Sequence, residues 1–345
     1  MIKIKFHKDF ISRYESFLNS IVFNKQSDYS KSIYWDYHSK LIKSEIKDNT
    51  LFLDGLSGNY IPPKKNSLNL YIRSLKTLIK NIIGRETSNN LSYKEALKKV
   101  IKTKANMGES QLCFKKERII AKDIKECKKK YPFNYHVSDH ILRTYYYLNI
   151  LNSYIDFSKK INLLEIGGGN GNLISLAKYH LNTNNILNID LPETLSICIP
   201  FIKNLFPDSK MLLPNEIKKK IGENELNEYD FIFLTPSQLS LVDKNLGDLF
   251  INTASFQEMK LEQIEIYLDF IQNVAKPNAH FFCTNSVEKV PIDGPTNNLN
   301  FKKIKPTRFF EYPFRNNEII VYQLCELTSL VQNDPAYIRL ETIKK

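Results

Sequence analysis

The run Leu163-Leu164-Glu165-Ile166-Gly167-Gly168-Gly169-Asn170-Gly171 is followed by a second, Ile186-Leu187-Asn188-Ile189-Asp190-Leu191-Pro192-Glu193, and the pair decides the fold. Each opens as a short apolar strand. The first passes through glycines into a helix carrying Leu173, Leu176 and Ala177 at helical spacing. Only 11 glycines occur in 345 residues, and four of them (Gly167, Gly168, Gly169 and Gly171) sit within five positions. Conformational freedom is therefore concentrated where a strand must turn sharply and leave bare backbone and helix N–H groups open to a ligand. Asp190 ends the second strand, placed to accept hydrogen bonds from the ribose hydroxyls of an adenosine cofactor, with Leu191 beside it. A dinucleotide fingerprint starting at Gly167 would need glycine at 172, where the chain has Asn172, so the case for a pyrophosphate weakens. Pro192 suits the first turn of the next helix, where a missing N–H costs nothing.

From residue 161 onward, short apolar runs alternate with helical patterns, which predicts a parallel α/β sheet. Further strands are expected at Phe231–Leu234, Leu249–Ile251 and from Phe281, with an edge strand at Ile319–Tyr322 over which the tail packs. A helix is expected over 261–275, stopped by Pro277. The stretch 248–259 runs from an apolar strand straight into Asn252, Ser255, Gln257 and Glu258, and ligands of open α/β sheets bind beyond the carboxyl ends of strands.

The N-terminal half has a different grammar. Phe10, Tyr14, Phe17, Leu18 and Ile21 mark one face of a helix, Leu70 to Ile82 a second, and roughly 138–157 a third, while Leu51 to Pro63 reads as loop. Residues 1–150 carry a net charge of +15 and the remainder −3, within a total of +12. A nucleic-acid partner is not favoured, because the densest lysine run (122–130) lacks interleaved arginines and aromatics. Five scattered cysteines with no CxxC pair make a disulfide framework or a cysteine metal site unexpected and point to a reducing cytoplasm. No stretch has the roughly 18–20 apolar residues of a membrane span, and charges interrupt the first residues too early for a secretory signal.

The pattern Glu165-x-Gly167-x-Gly169-x-Gly171 resembles the first motif of class I S-adenosylmethionine-dependent methyltransferases. Together with Asp190-Leu191-Pro192-Glu193, the 248–259 stretch, Tyr267 and Asn285, it resembles a family of sugar O-methyltransferases that includes a methyltransferase of the nanchangmycin pathway. The likeness covers about 160–290; Asn170 stands where relatives often carry an aromatic. The resemblance implies a Rossmann-like seven-stranded class I methyltransferase sheet over 158–345, a mainly helical N-terminal substrate cap over 1–157, and S-adenosylmethionine as cofactor. It places Glu165, Gly167, Gly168, Gly169, Gly171, Asp190, Leu191 and Asn252 at the cofactor, and Ser255, Gln257 and Asn285 at a sugar or glycan substrate.

A sugar hydroxyl is a poor nucleophile and calls for a general base. Glu258 is the first candidate, its alternative being an acid at a helix N-terminus. His136 and His140 are further candidates, with structural use as their alternative and no metal expected; Tyr145 to Tyr147 either stack on a sugar or pack the core. A nucleic-acid methyltransferase using the basic half, and a non-catalytic binding protein on the same fold, remain as other readings; the oligomeric state is open.

Overall fold

The computed structural model describes residues 2–23, 42–54, 139–289, 306–325 and 335–345. The expected helices at 70–82, the lysine run at 122–130 and His136 lie outside them. The described chain begins with a small antiparallel sheet of β1 (Ile2–Lys5), β2 (Lys43–Lys47) and β3 (Thr50–Asp54), in the order β1-β3-β2, with helix α1 (Lys8–Phe23) between β1 and β2. Residues 51–54, expected as loop, are thus a strand. Asp48 (φ 49°) and Asn49 (φ 57°) form the two-residue hairpin that makes it so, since both residue types tolerate the left-handed region.

Helix α2 (Asp139–Tyr154) then leads into the main sheet: β4 (Ile161–Ile166), α3 (Asn172–His180), β5 (Thr183–Ile189), α4 (Pro192–Leu205), β6 (Met211–Leu212), α5 (Glu223–Glu228), β7 (Phe231–Leu234), β8 (Gly247–Thr253), α6 (Leu261–Val274), β9 (Ala275–Ser286), β12 (Glu318–Cys325) and β13 (Ala336–Thr342). Between β9 and β12 lies a two-stranded ladder of β10 (Glu288–Lys289) and β11 (Thr307–Arg308). The sheet order is β12-β13-β9-β8-β4-β5-β7-β6: seven strands of four or more residues and a two-residue edge strand. With the two-residue edge strand β6 left aside and counting from β4, its parallel part runs 3-2-1-4-5, a doubly wound order that switches direction at β4.

β4 and β7 are buried along their whole length, which explains why they read as continuous apolar runs rather than alternating ones. Leu163, Ile186 and Ile251 face one core with α1 to α4; Leu164, Leu187 and Phe250 face a second core with α6. Tyr14, Phe17, Leu51 and Leu151 belong to the first of these, so the described N-terminal elements share the sheet's own core.

Two details depart from expectation. Helix α6 stops at Val274 and β9 starts at once, running through Pro277. Ala275 pairs with Gly247 and His280 with Leu249, so residues 276–279 bulge away from the β8 ladder, where a proline loses no sheet hydrogen bond. The tail does not lie over the edge strand. It inserts as β13 between β9 and β12, antiparallel to both.

Helix α4 contains Pro200, which cannot donate to the carbonyl four residues back, that of Ser196. The buried Tyr14 hydroxyl of α1 donates to that oxygen instead, at 2.5 Å. Arg13 beside it donates to the Met211 carbonyl at 2.6 Å and through Nε to Glu216 at 2.5 Å. Substituting Tyr14→Phe leaves a buried carbonyl unsatisfied and is expected to destabilise the fold by about 1–3 kcal/mol in chemical denaturation. The same change in a Pro200→Ala background is expected to cost much less, because residue 200 then supplies the helical N–H. Equal costs in the two backgrounds would contradict this account.

Candidate active site

The loop between β4 and α3 holds three glycines in the left-handed region, Gly167 (φ 72°), Gly169 (φ 56°) and Gly171 (φ 86°), the last being the residue that caps α3. Its neighbours clamp it from both sides. From β5, Asp190 Oδ2 accepts the Gly169 N–H at 2.7 Å, and Oδ1 accepts the Leu191 N–H at 2.7 Å. From β8, Asn252 Nδ2 donates to the Ile166 carbonyl at 3.0 Å and to Ser255 Oγ at 2.8 Å. A Cβ on Gly167 would lie 2.0 Å from Ser255 Oγ, and one on Gly171 2.8 Å from Cys198 Sγ, so both positions demand glycine on packing grounds as well. Gly169 differs: a Cβ there would have nothing within 4 Å. Its face is open, which is what a backbone cradle for a ligand requires.

Behind the loop lies a buried acidic pair. Glu165 is 1% exposed and its Oε2 has no hydrogen-bond partner. Burial, with the charge of Asp190 added, pushes its carboxyl up to about 8, although the Ile174 N–H in the first turn of α3 opposes the shift. Burial likewise raises Asp190 to about 7 against the pull of the Leu191 and Gly169 N–H groups. A carboxylate with one oxygen unpartnered beside an open glycine cradle fits a ligand that brings positive charge and hydroxyl donors.

Asn252, Ser255, Gln257, Glu258 and Asn285 come together at the carboxyl ends of β8 and β9, all buried. Asn252 Oδ1 accepts from Asn285 Nδ2 at 2.9 Å, Asn285 Oδ1 accepts the Gln257 N–H at 3.1 Å, and Gln257 Oε1 accepts the Ser286 N–H at 2.6 Å. These amides shape the turn that follows β8, where Ala254 is held at φ 55°. Glu258 ends a single helical turn, Phe256–Glu258, close enough to Tyr312 that its charge helps burial raise that phenol.

His140 lies in the first turn of α2, and nothing of its side chain is described; Tyr146 and Tyr147 are buried in the core. No group of three His, Cys, Asp or Glu able to hold a metal ion occurs among the described residues. None of the described helices is long and apolar enough to cross a membrane. Residue-level reading missed Asn188 and Cys198, which line the back of the glycine loop but resemble any strand or helix residue in sequence.

No protein-family model and no curated protein matches the sequence. Among solved structures the chain is similar to a SAM-dependent methyltransferase from Methanosarcina mazei, at 14% identity over 56% of this chain and 96% of that one, with a TM-score of 0.39. It is similar also to an S-adenosylmethionine-dependent methyltransferase from Mesorhizobium loti, at 11% identity over 56% and 96%, TM-score 0.36. A third is geranyl diphosphate C-methyltransferase from Streptomyces coelicolor A3(2), solved with S-adenosyl-L-homocysteine, at 10% identity over 58% and 76%, TM-score 0.38. Likeness at this level carries no argument of its own, and the fold rests on the strand order. That order makes it a doubly wound, Rossmann-like α/β sheet.

Glu165 binds its proton more tightly folded than unfolded, so its contribution to stability is complete below pH 4.5 and is lost as pH rises to about 8. The ligand-free protein is therefore expected to lose thermal stability across that window. Glu165→Gln should raise the melting temperature at pH 8 and change it little at pH 4.5; a pH-independent difference would contradict the assignment.

Proposed function

We propose that this chain is an S-adenosylmethionine-dependent O-methyltransferase acting on a hydroxyl of a sugar, within a surface glycan or a glycosylated metabolite. The observation that carries the reading is the open face of Gly169, clamped to Asp190 beside the unpartnered Oε2 of the Glu165 carboxylate. When bound, the cofactor supplies a methyl group on a positively charged sulfonium. Asp190 retains lone pairs beyond those given to Gly169 and Leu191, and these accept the ribose hydroxyls. Glu165 offers negative charge to the cationic end, and Gly169 lets the ligand approach bare backbone. Asn252 and Ser255 act through the loop, holding Ile166 and Gly167 in place from the β8 side.

Glu258 takes the proton of the attacking hydroxyl, and the Asn285–Gln257 network fixes the turn that presents it. Support for a sugar comes from the resemblance of residues 248–259, with Ser255, Gln257 and Asn285 close to the acceptor. A substrate cap over residues 1–157 and a cytoplasmic setting belong to the same reading; residues 24–41 and 55–138 of that cap lie outside the described residues.

The test is a methyl-transfer assay against nucleotide sugars and oligosaccharides, read by mass spectrometry. Asp190→Ala is expected to weaken S-adenosylmethionine binding at least tenfold while leaving the protein folded. Glu258→Gln is expected to lower turnover at least a hundredfold with cofactor affinity preserved, in line with the usual contribution of a general base. Full turnover in Glu258→Gln would remove that residue from the chemistry, and transfer to carbon or nitrogen acceptors alone would replace the hydroxyl substrate.

A further inference from the structure

Glu165 and Asn188 are partners across the β4–β5 ladder and face the same core as Leu163 and Ile186. Both converge on one point beneath the glycine loop. A Cβ on Gly168 would lie 2.2 Å from Asn188 Oδ1 and 2.9 Å from Glu165 Oε2. Each of these oxygens is buried and has no hydrogen-bond partner. The other end of the Asn188 amide is committed, since Nδ2 donates to Cys198 Sγ at 3.2 Å. Two unpartnered acceptors thus lie beneath the same loop position with no donor offered to either, and one proton on Glu165 supplies a donor there.

We infer that Asn188, backed by Cys198, is a positioning residue that holds Glu165 as a neutral carboxyl until a cationic ligand reaches the glycine loop, whereupon Glu165 releases its proton to solvent. The inference rests on the S-adenosylmethionine reading and deepens it. The surroundings support it from every packed element. Asp190 at the end of β5 opposes ionisation of Glu165, and Glu193 at the start of α4 adds negative charge at Asp190. Cys198 on α4 is kept protonated by burial and by both carboxylates. From α3 only the Ile174 N–H favours the ionised form, and the β8 residue paired with Glu165 is the apolar Ile251. No cation figures among the groups acting on Glu165 in the described residues. A ligand's positive charge is therefore the missing counter-charge.

The experiment is calorimetric titration of the full chain with S-adenosylmethionine at pH 7 in buffers of different ionisation enthalpy, which counts protons released on binding. The wild type is expected to release about one proton more than Glu165→Gln. Asn188→Thr, which offers Glu165 a hydroxyl donor in place of an acceptor, is expected to release clearly fewer than the wild type. Affinity of the wild type should fall by up to tenfold per unit as pH drops below 7, while that of Glu165→Gln falls less. This comparison decides the matter even if Asn188→Thr does not fold. Equal proton counts in the wild type and Glu165→Gln overturn the inference alone; they are the result expected if the Asn188 amide lies the other way, donating to an ionised Glu165. Equal counts in the wild type and Asn188→Thr remove Asn188 from the role. Absence of any binding overturns the methyltransferase reading and the inference with it.

Discussion

The carboxylate of Asp190 ties the ends of two neighbouring strands together, one oxygen on the Gly169 N–H and the other on its own successor, Leu191. That bond fixes where the chain turns off β4, and with it the direction in which the start of α3 faces. It also brings a second negative charge near Glu165, which burial already favours as a neutral acid. The site is thus built with an electrostatic deficit. Asn252 and Ser255 complete the frame from the opposite strand, so the loop is held rigid while one glycine face stays open.

The topology supplies the place. β4 is the first strand of the main sheet, and its neighbours β5 and β8 leave it in opposite directions, opening a crevice at its carboxyl end. All the groups assigned to chemistry lie on that edge: the glycine loop after β4, Asp190 after β5, the Asn252–Glu258 turn after β8 and Asn285 near the end of β9. The opposite end of the sheet is occupied by purely structural contacts, such as Asp248 accepting both the Asn162 N–H and the Lys276 ammonium.

Much of this was legible in the sequence because it is local. Buried parallel strands read as unbroken apolar runs, and the clustered glycines announce a backbone that must turn and stay bare. What escaped is non-local or conflicts with a local rule. Arg13 meets Glu216 across 203 residues, and nothing in either neighbourhood announces the pair. Pro277 reads as a break, yet a bulge carries it inside β9. The Asp48-Asn49 turn was a usable hairpin signal, masked by charged flanking strands. Glu258 and Asn252 were legible as a polar cluster after a strand; that Gln257 and Asn285 bond to each other and to backbone was not, because amide partners are set by register between β8 and β9.

The central claim is that the open glycine loop receives S-adenosylmethionine. The most direct measurement follows the backbone amide resonances of Gly167, Gly168, Gly169 and Leu191 during titration with that compound. The account predicts large, saturable shifts at these amides and at Asn252, with β12 and β13 unaffected. Unchanged glycine-loop resonances at millimolar ligand, or shifts confined to another face of the sheet, would contradict it.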